Sequence, residues 1–190
     1  IRRLLKAADF EWQGIILCGL YTGQRLTDIA LLTWENLDLV NENLNFQTKK
    51  TNRSMALPLA KQLKEYFDKI PAGDDPKAPL FPTVYARRIR NNNAGPLSNQ
   101  FKKVMVKAGL ADHKSHQSTG KGRTSKRKLN ELSFHCLRHT ATSMLKNAGV
   151  SDAVARDIIG HESEAISRQY THIDMAAKRK AIESLPDILN

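Results

Sequence analysis

The chain has 190 residues, 41% of them hydrophobic, which supplies one sizeable core and excludes a disordered tail. Thirty Lys and Arg against nineteen Asp and Glu give a formal net charge of +11, which makes a polyanion, nucleic acid above all, the first partner to consider. No apolar run approaches the roughly 18–20 residues of a membrane span, and IRRLLKAADF lacks the apolar core of a signal peptide, so no membrane partner and a cytoplasmic location are expected.

The first residue is not Met and IRRLLKAAD already reads as the start of a helix; the chain is therefore expected to be a domain cut from a longer protein. Apolar residues from Ala7 to Tyr21 fall at helical spacing, TGQR interrupts, and TDIALLTW resumes a short helix for which Thr27 is the candidate N-cap. NLNFQT and SMALPL have strand-like alternation around KKTNR, a hairpin with a basic tip, and Pro58 should end its second strand. AKQLKEYFDKI is amphipathic and helical. PAGDDPKAPLFP, with four of the seven prolines, reads as a loop. SNQFKKVMVKA is helical again and stops near Gly109.

Residues 111–128 hold few apolar side chains and many Lys, Arg, Ser and Gly, which predicts a flexible basic insertion whose run GKGRTSKRK, including Lys126, Arg127 and Lys128, is suited to phosphates. HCLRHTATSMLKNAG is a helix with Leu137, Ala141, Met144, Leu145 and Ala148 on one stripe and Gly149 at its end. SDAVARDIIG is a short capped helix ending on glycine, and MAAKRKAIESL a final one. Cys18 and Cys136 lie far apart among apolar neighbours and suit buried thiols better than a disulfide. The fold class expected is mainly α with a small antiparallel β-sheet or hairpin.

Within HCLRH, His135 and Arg138 are three apart and project side by side, away from the Leu137 stripe. A guanidinium fork and an imidazole that moves a proton near neutral pH suit a phosphodiester. On its own this pattern is common on helix surfaces. His135 and His139 have the i,i+4 spacing of metal ligands, but the glutamate of HExxH is absent and Arg138 between them repels a divalent cation. His113 and His116 also have ligand-like spacing, and in so basic a segment they read as solvated. No metal is expected. Arg25 follows a helix break and Asp28, three residues on, is placed to orient its guanidinium. At the hairpin tip, alternation would send Lys49 and Lys50 to opposite faces, so that only one enters a given cleft.

Taken in order, TGQRLTDIALLTW, the basic hairpin before ALPL, HCLRHT, GHES and QYTH resemble the tyrosine recombinases, the phage-type integrases, over nearly the whole chain. The resemblance implies the catalytic-domain fold of that family across residues 1–190, with the N-terminal DNA-binding domain absent from this chain. It assigns Arg25 and the His135–Arg138 pair, His161 after its glycine, the nucleophile Tyr170, and a hairpin lysine, for which Lys50 fits the distance to Pro58 better, Lys49 being the alternative if the turn bulges. Gln24 stands where an apolar residue is frequent, Asp28 replaces the usual glutamate, and Cys136 occupies a position often acidic or polar.

The resemblance further implies a site-specific DNA recombinase that cleaves and rejoins strands through a 3′-phosphotyrosyl bond, with no cofactor, ATP or metal. Partners would be double-stranded recombination sites, bound by four full-length protomers, with the isolated domain monomeric and its source a bacterium or phage. Lys49, Arg53, Lys126, Arg127 and Lys128 are the further candidates for DNA contact. The competing reading is a basic domain that grips DNA without cutting it, and type IB topoisomerases share closely related chemistry. The final helix reads equally well as packing on its own chain or on a neighbour.

Overall fold

Asp9 divides the N-terminal apolar stretch in two. Its carboxylate accepts the main-chain N–H of Trp12 at 2.8 Å, so α1 (Arg2–Ala7) ends and a separately capped α2 (Phe10–Thr22) begins. In this computed structural model, which describes residues 1–71, 74–112, 132–160 and 175–188, α2 is the axis of the core. Ile15, Ile16, Cys18 and Leu20 are fully buried and Tyr21 nearly so. A helix apolar on every side must be packed on every side, and α1, α4 (Lys61–Phe67) and α7 (His135–Asn147) surround it. Burial pushes the Cys18 thiol far above its usual range, and neither cysteine is in a disulfide.

Gly23 ends α2 in the left-handed region, and α3 (Leu26–Ile29) follows at once. Its N-cap is Arg25, not Thr27 as the sequence suggests, because the glycine turn leaves only Gln24 between the helix end and the cap. The rest of TDIALLTW leaves the helix: Thr33 forms a bridge with Pro79 and begins a capping box over the 3-10 turn Trp34–Asn36.

The hairpin is part of a three-stranded antiparallel sheet, β1 (Leu37–Asp38), β2 (Asn43–Gln47) and β3 (Ser54–Pro58), in that spatial order. Leu44 pairs with Leu57 and Phe46 with Met55, which puts the apolar set of both strands on the core face. Pro58 ends β3 as expected. The β1 strand of two residues is too short to leave a period-2 signal. Helix α5 (Pro82–Asn91), which starts on a proline, lies in a stretch to which the sequence reading gave no element; Val84 is its sole buried residue. Helix α6 (Gly95–Lys107) begins earlier than its apolar periodicity suggests, with Pro96 in its first turn.

Helices α7, α8 (Asp152–Ile159) and α9 (Met175–Glu183) fall where the sequence places them. Leu137, Ala141 and Leu145 of the α7 stripe are buried, Met144 half-buried and Ala148 exposed. Helix α9 docks on β3 and α8 of its own chain, burying Ala181 and Ile182. Of the basic insertion expected at 111–128, all but residues 111 and 112 lies outside the described residues.

Helix α2 approaches α4 so closely that a Cβ on Gly14 would sit 2.2 Å from the Tyr66 ring. That ring is pinned by a 2.9 Å hydrogen bond from its hydroxyl to the Phe10 carbonyl. Gly14→Ala gains about 1 kcal/mol of helix propensity against an overpacking cost of about 1–3 kcal/mol, and the pinned ring places it at the costly end. Urea denaturation should show a net loss of about 1–2 kcal/mol.

Candidate active site

Two helices end against one guanidinium. Gly23 closes α2 at φ 65° and Gly160 closes α8 at φ 73°, and helix ends of this kind leave main-chain carbonyls in need of donors. Arg138, from α7, supplies them: Nη1 donates to the Gly23 carbonyl at 2.7 Å and Nη2 to the Gly160 carbonyl at 3.2 Å. The partial negative charge at a helix C-terminus favours a cation there. Only 2% of Arg138 is exposed, so it does not project from the surface beside His135 as the helical spacing suggests. Burial, then the proximity of Arg25, pushes its pKa down to about 10, with Asp28 opposing; it is still cationic at neutral pH.

Gln24 makes a second tie between the same two chain segments. Its Nε2 donates to the carbonyls of Thr22 at 3.0 Å and Ile158 at 2.9 Å, with Ile159 at 3.4 Å. The Gln24 amide is thus a polar latch between the two segments. Between Arg138 and Gln24, the turn that carries Arg25 is fixed against the end of α8, the helix that leads into His161.

Arg25 projects from the N-cap of α3 with its side chain 28% exposed, and Nη1 stands 4.0 Å from Oδ2 of the buried Asp28. That is ion-pair distance and too long for a hydrogen bond, so Asp28 orients the guanidinium without occupying its donor fork. The other carboxylate oxygen, Oδ1, accepts the main-chain N–H of Lys49 at 2.8 Å. One buried aspartate therefore ties the first arginine to the hairpin tip, a link that sequence spacing alone did not reveal.

Strand pairing stops at Gln47 and Ser54, so Lys49 and Lys50 lie in a turn and not on a strand end. The alternation expected to send them to opposite faces does not apply. The turn is closed by main-chain bonds from Asn52 N to Thr48 O and from Thr48 N to Arg53 O, both 2.9 Å, with Asn52 at φ 51°, a conformation asparagine tolerates. Both lysines are exposed. Arg53 is turned toward α8, where Nη2 pairs with Oδ1 of Asp157.

His135 opens α7 at the surface, its ring centroid 4.8 Å from that of His139, edge to face. Its pKa is held below the usual histidine value by partial desolvation first, then by the positive charges of His139, Arg138 and Arg25. Arg138 is bonded to the Gly23 carbonyl, two residues before Arg25, and His135 lies one helical turn before Arg138. Among the described residues, no three His, Cys, Asp or Glu side chains converge to hold a metal ion, and no helix is long and apolar enough to cross a membrane. His161, Tyr170, Lys126, Arg127 and Lys128 lie outside the described residues.

The class in hand is a mainly helical domain with a three-stranded antiparallel sheet, in which Arg138 binds two helix ends beside the turn that carries Arg25. The chain belongs to the phage integrase family, whose model matches residues 1–177. It is 26% identical over 174 residues to tyrosine recombinase XerC of Roseiflexus sp. (strain RS-1), covering 87% of this chain and 48% of that protein. The chain thus spans about half the length of the curated relatives it matches. Among solved structures, the integrase from mycobacterium phage Brujita superposes with a TM-score of 0.65 at 24% identity, over 97% of this chain and 55% of that one. The lambda integrase catalytic core gives 0.56 at 20% identity, over 84% of this chain and 90% of that one.

A histidine held below its unfolded value binds fewer protons when folded, so its contribution to stability is lost as pH falls from about 6.5 through the folded value. NMR titration should find the His135 ring titrating below about 6.5, and His139→Gln should raise it by removing one of the neighbouring cations. A ring that titrates at the ordinary value in the unsubstituted protein contradicts this electrostatic description.

Proposed function

We propose that the chain is the catalytic portion of a site-specific DNA recombinase that breaks and rejoins strands through a covalent tyrosyl intermediate. The observation that carries the reading is that Arg138 binds the Gly23 turn that leads to Arg25, with His135 one helical turn before Arg138, in a chain whose QYTH motif supplies a tyrosine in the family's order. Phosphoryl transfer asks for a nucleophile, donors for the nonbridging oxygens and a proton for the leaving oxygen.

In this reading Tyr170 Oη attacks phosphorus, the bond to the 5′ oxygen breaks, and the 3′ phosphate stays on the tyrosine. Arg25 binds the nonbridging oxygens with its free fork, for which a planar charged group is better suited than lysine, and Arg138, already engaged by the Gly23 and Gly160 carbonyls, offers its remaining donors. Lys50, or Lys49 from the adjacent turn position, protonates the leaving 5′ oxygen. His135, whose pKa is held below the usual histidine value by partial desolvation and then by its cationic neighbours, takes the tyrosine proton, and His161 hydrogen-bonds the phosphate. A free phenol has a pKa near 10, so the cationic surround is what makes Tyr170 reactive. Rejoining runs the same steps backward on a new 5′ hydroxyl, without ATP, metal or cofactor.

The partners in this proposal are double-stranded recombination sites in the cytoplasm of a bacterium, whether the gene is chromosomal or phage-borne. Lambda integrase, a structural neighbour, has been seen as a tetramer bound to a Holliday junction. The full-length protein is proposed to assemble likewise, with the isolated domain monomeric. Lys49, with Lys126, Arg127 and Lys128, would add contacts to the DNA backbone; Arg53 is already engaged by Asp157.

A nicked suicide substrate should trap a covalent protein–DNA adduct that persists in EDTA and is absent from Tyr170→Phe. Arg25→Ala should slow adduct formation by about 10²–10³, the cost of about 3–4 kcal/mol typical of a lost transition-state donor. Salt-sensitive DNA binding with no adduct would instead mark a binding module, and an adduct surviving Tyr170→Phe would sink the assignment of the nucleophile.

A further inference from the structure

Asp157 lies on α8, four residues before His161, and it is engaged from two sides. Oδ1 pairs with Nη2 of Arg53, three residues past Lys50 on the hairpin. Oδ2 lies 2.5 Å from Nζ of Lys178 on α9, an ion pair without hydrogen-bond alignment. Lys178 is eight residues past Tyr170. The three side chains are mostly shielded, with 32% of Arg53, 23% of Asp157 and 14% of Lys178 exposed.

At the base of the hairpin tip Thr48 is buried, and Lys49 and Lys50 beyond it are exposed. Strand pairing ends at Gln47 and Ser54, and the bonds that close the turn join the tip to itself. Among the described residues, its side-chain ties to the rest of the domain are two carboxylates, one at each end: Asp28 takes the main-chain N–H of Lys49, and Asp157 takes the guanidinium of Arg53. A flexible four-carbon lysine can protonate a leaving oxygen only if its backbone stays within reach of it.

We propose that Asp157 is a positioning residue for leaving-group protonation. By holding Arg53 it keeps the lysine-bearing tip over the site, and by sharing its second oxygen with Lys178 it ties that tip to the helix that follows the nucleophile. The proposal rests on the recombinase reading above and adds to it a residue that touches neither DNA nor the reacting atoms.

The test is single-turnover cleavage by the full-length protein of two suicide substrates that differ at one atom. One has the ordinary 5′ oxygen at the scissile phosphate. The other has sulfur there, which leaves as a thiolate and needs no proton, since a thiol ionises near pH 8.5. Asp157→Asn should slow the oxygen substrate at least about tenfold, within the 10²–10⁴ that a general acid contributes, and leave the sulfur substrate within about threefold of the unsubstituted protein. Lys50→Ala or Lys49→Ala should show the same pattern in stronger form. Arg53→Gln, which leaves the Asp157–Lys178 pair in place, should reproduce it, and decides the matter if Asp157→Asn does not fold. Equal slowing of both substrates, or of neither, by whichever of the two variants folds overturns the proposal. Absence of any adduct with the unsubstituted protein is a different result, because it removes the recombinase reading itself.

Discussion

The structure depends on one buried cation that serves two helix ends. Arg138 leaves α7 inside the domain and spends two of its donors on the carbonyls of Gly23 and Gly160. Without them, two helix C-termini would face each other across the core with unpaired oxygens, each costing about 1–3 kcal/mol. The guanidinium therefore sets the separation between the turn that presents Arg25 and the turn that leads to His161. A lysine could reach either carbonyl, but only a planar fork serves both in one plane. The cation is in this way held by main-chain geometry, which is more rigid than a surface salt bridge would be.

Placing two arginines together is electrostatically unfavourable, and the domain offsets that cost locally. Asp28 is buried beside Arg25 and counters the depression of the Arg138 pKa. The C-terminal carbonyls of α2 and α8 add partial negative charge. What remains is a positive site whose charge is incompletely compensated, and it adds to partial desolvation in lowering the pKa of His135. Asp28 also reaches the hairpin tip through the Lys49 amide, so the charge balance of the site and the position of the exposed lysine-bearing turn are coupled through a single carboxylate.

Much of this was legible in the residue order. The helix periods of α2, α4 and α7, the hairpin of β2 and β3 and the glycine stop of α8 all appear where apolar spacing and turn residues put them. Asp9 was hidden because the apolar pattern runs straight through it, and only the cap geometry breaks the helix. The ordered motifs single out Arg25, His135 and Arg138, but three physical facts about them and their neighbours were not legible. Periodicity placed Arg138 on a surface face, whereas the carbonyls that draw it inward belong to segments 115 and 22 residues away. Strand alternation was applied to Lys49 and Lys50, whereas the ladder had already ended. The amide of Gln24 stands out from sequence as an oddity, and its partners on α8 are visible only once the chain has folded.

The central claim is that Arg25 and Arg138 act as one phosphate clamp because the Gly23 turn and the Gly160 turn hold them as one unit. A double-mutant cycle on single-turnover cleavage tests it most directly, using Arg25→Ala, Arg138→Lys and the pair, each shown to be folded. Groups that act as a unit are strongly non-additive, so the double variant should be little slower than the worse of the two singles. Rate losses that multiply, as for two independent contacts, would contradict the account.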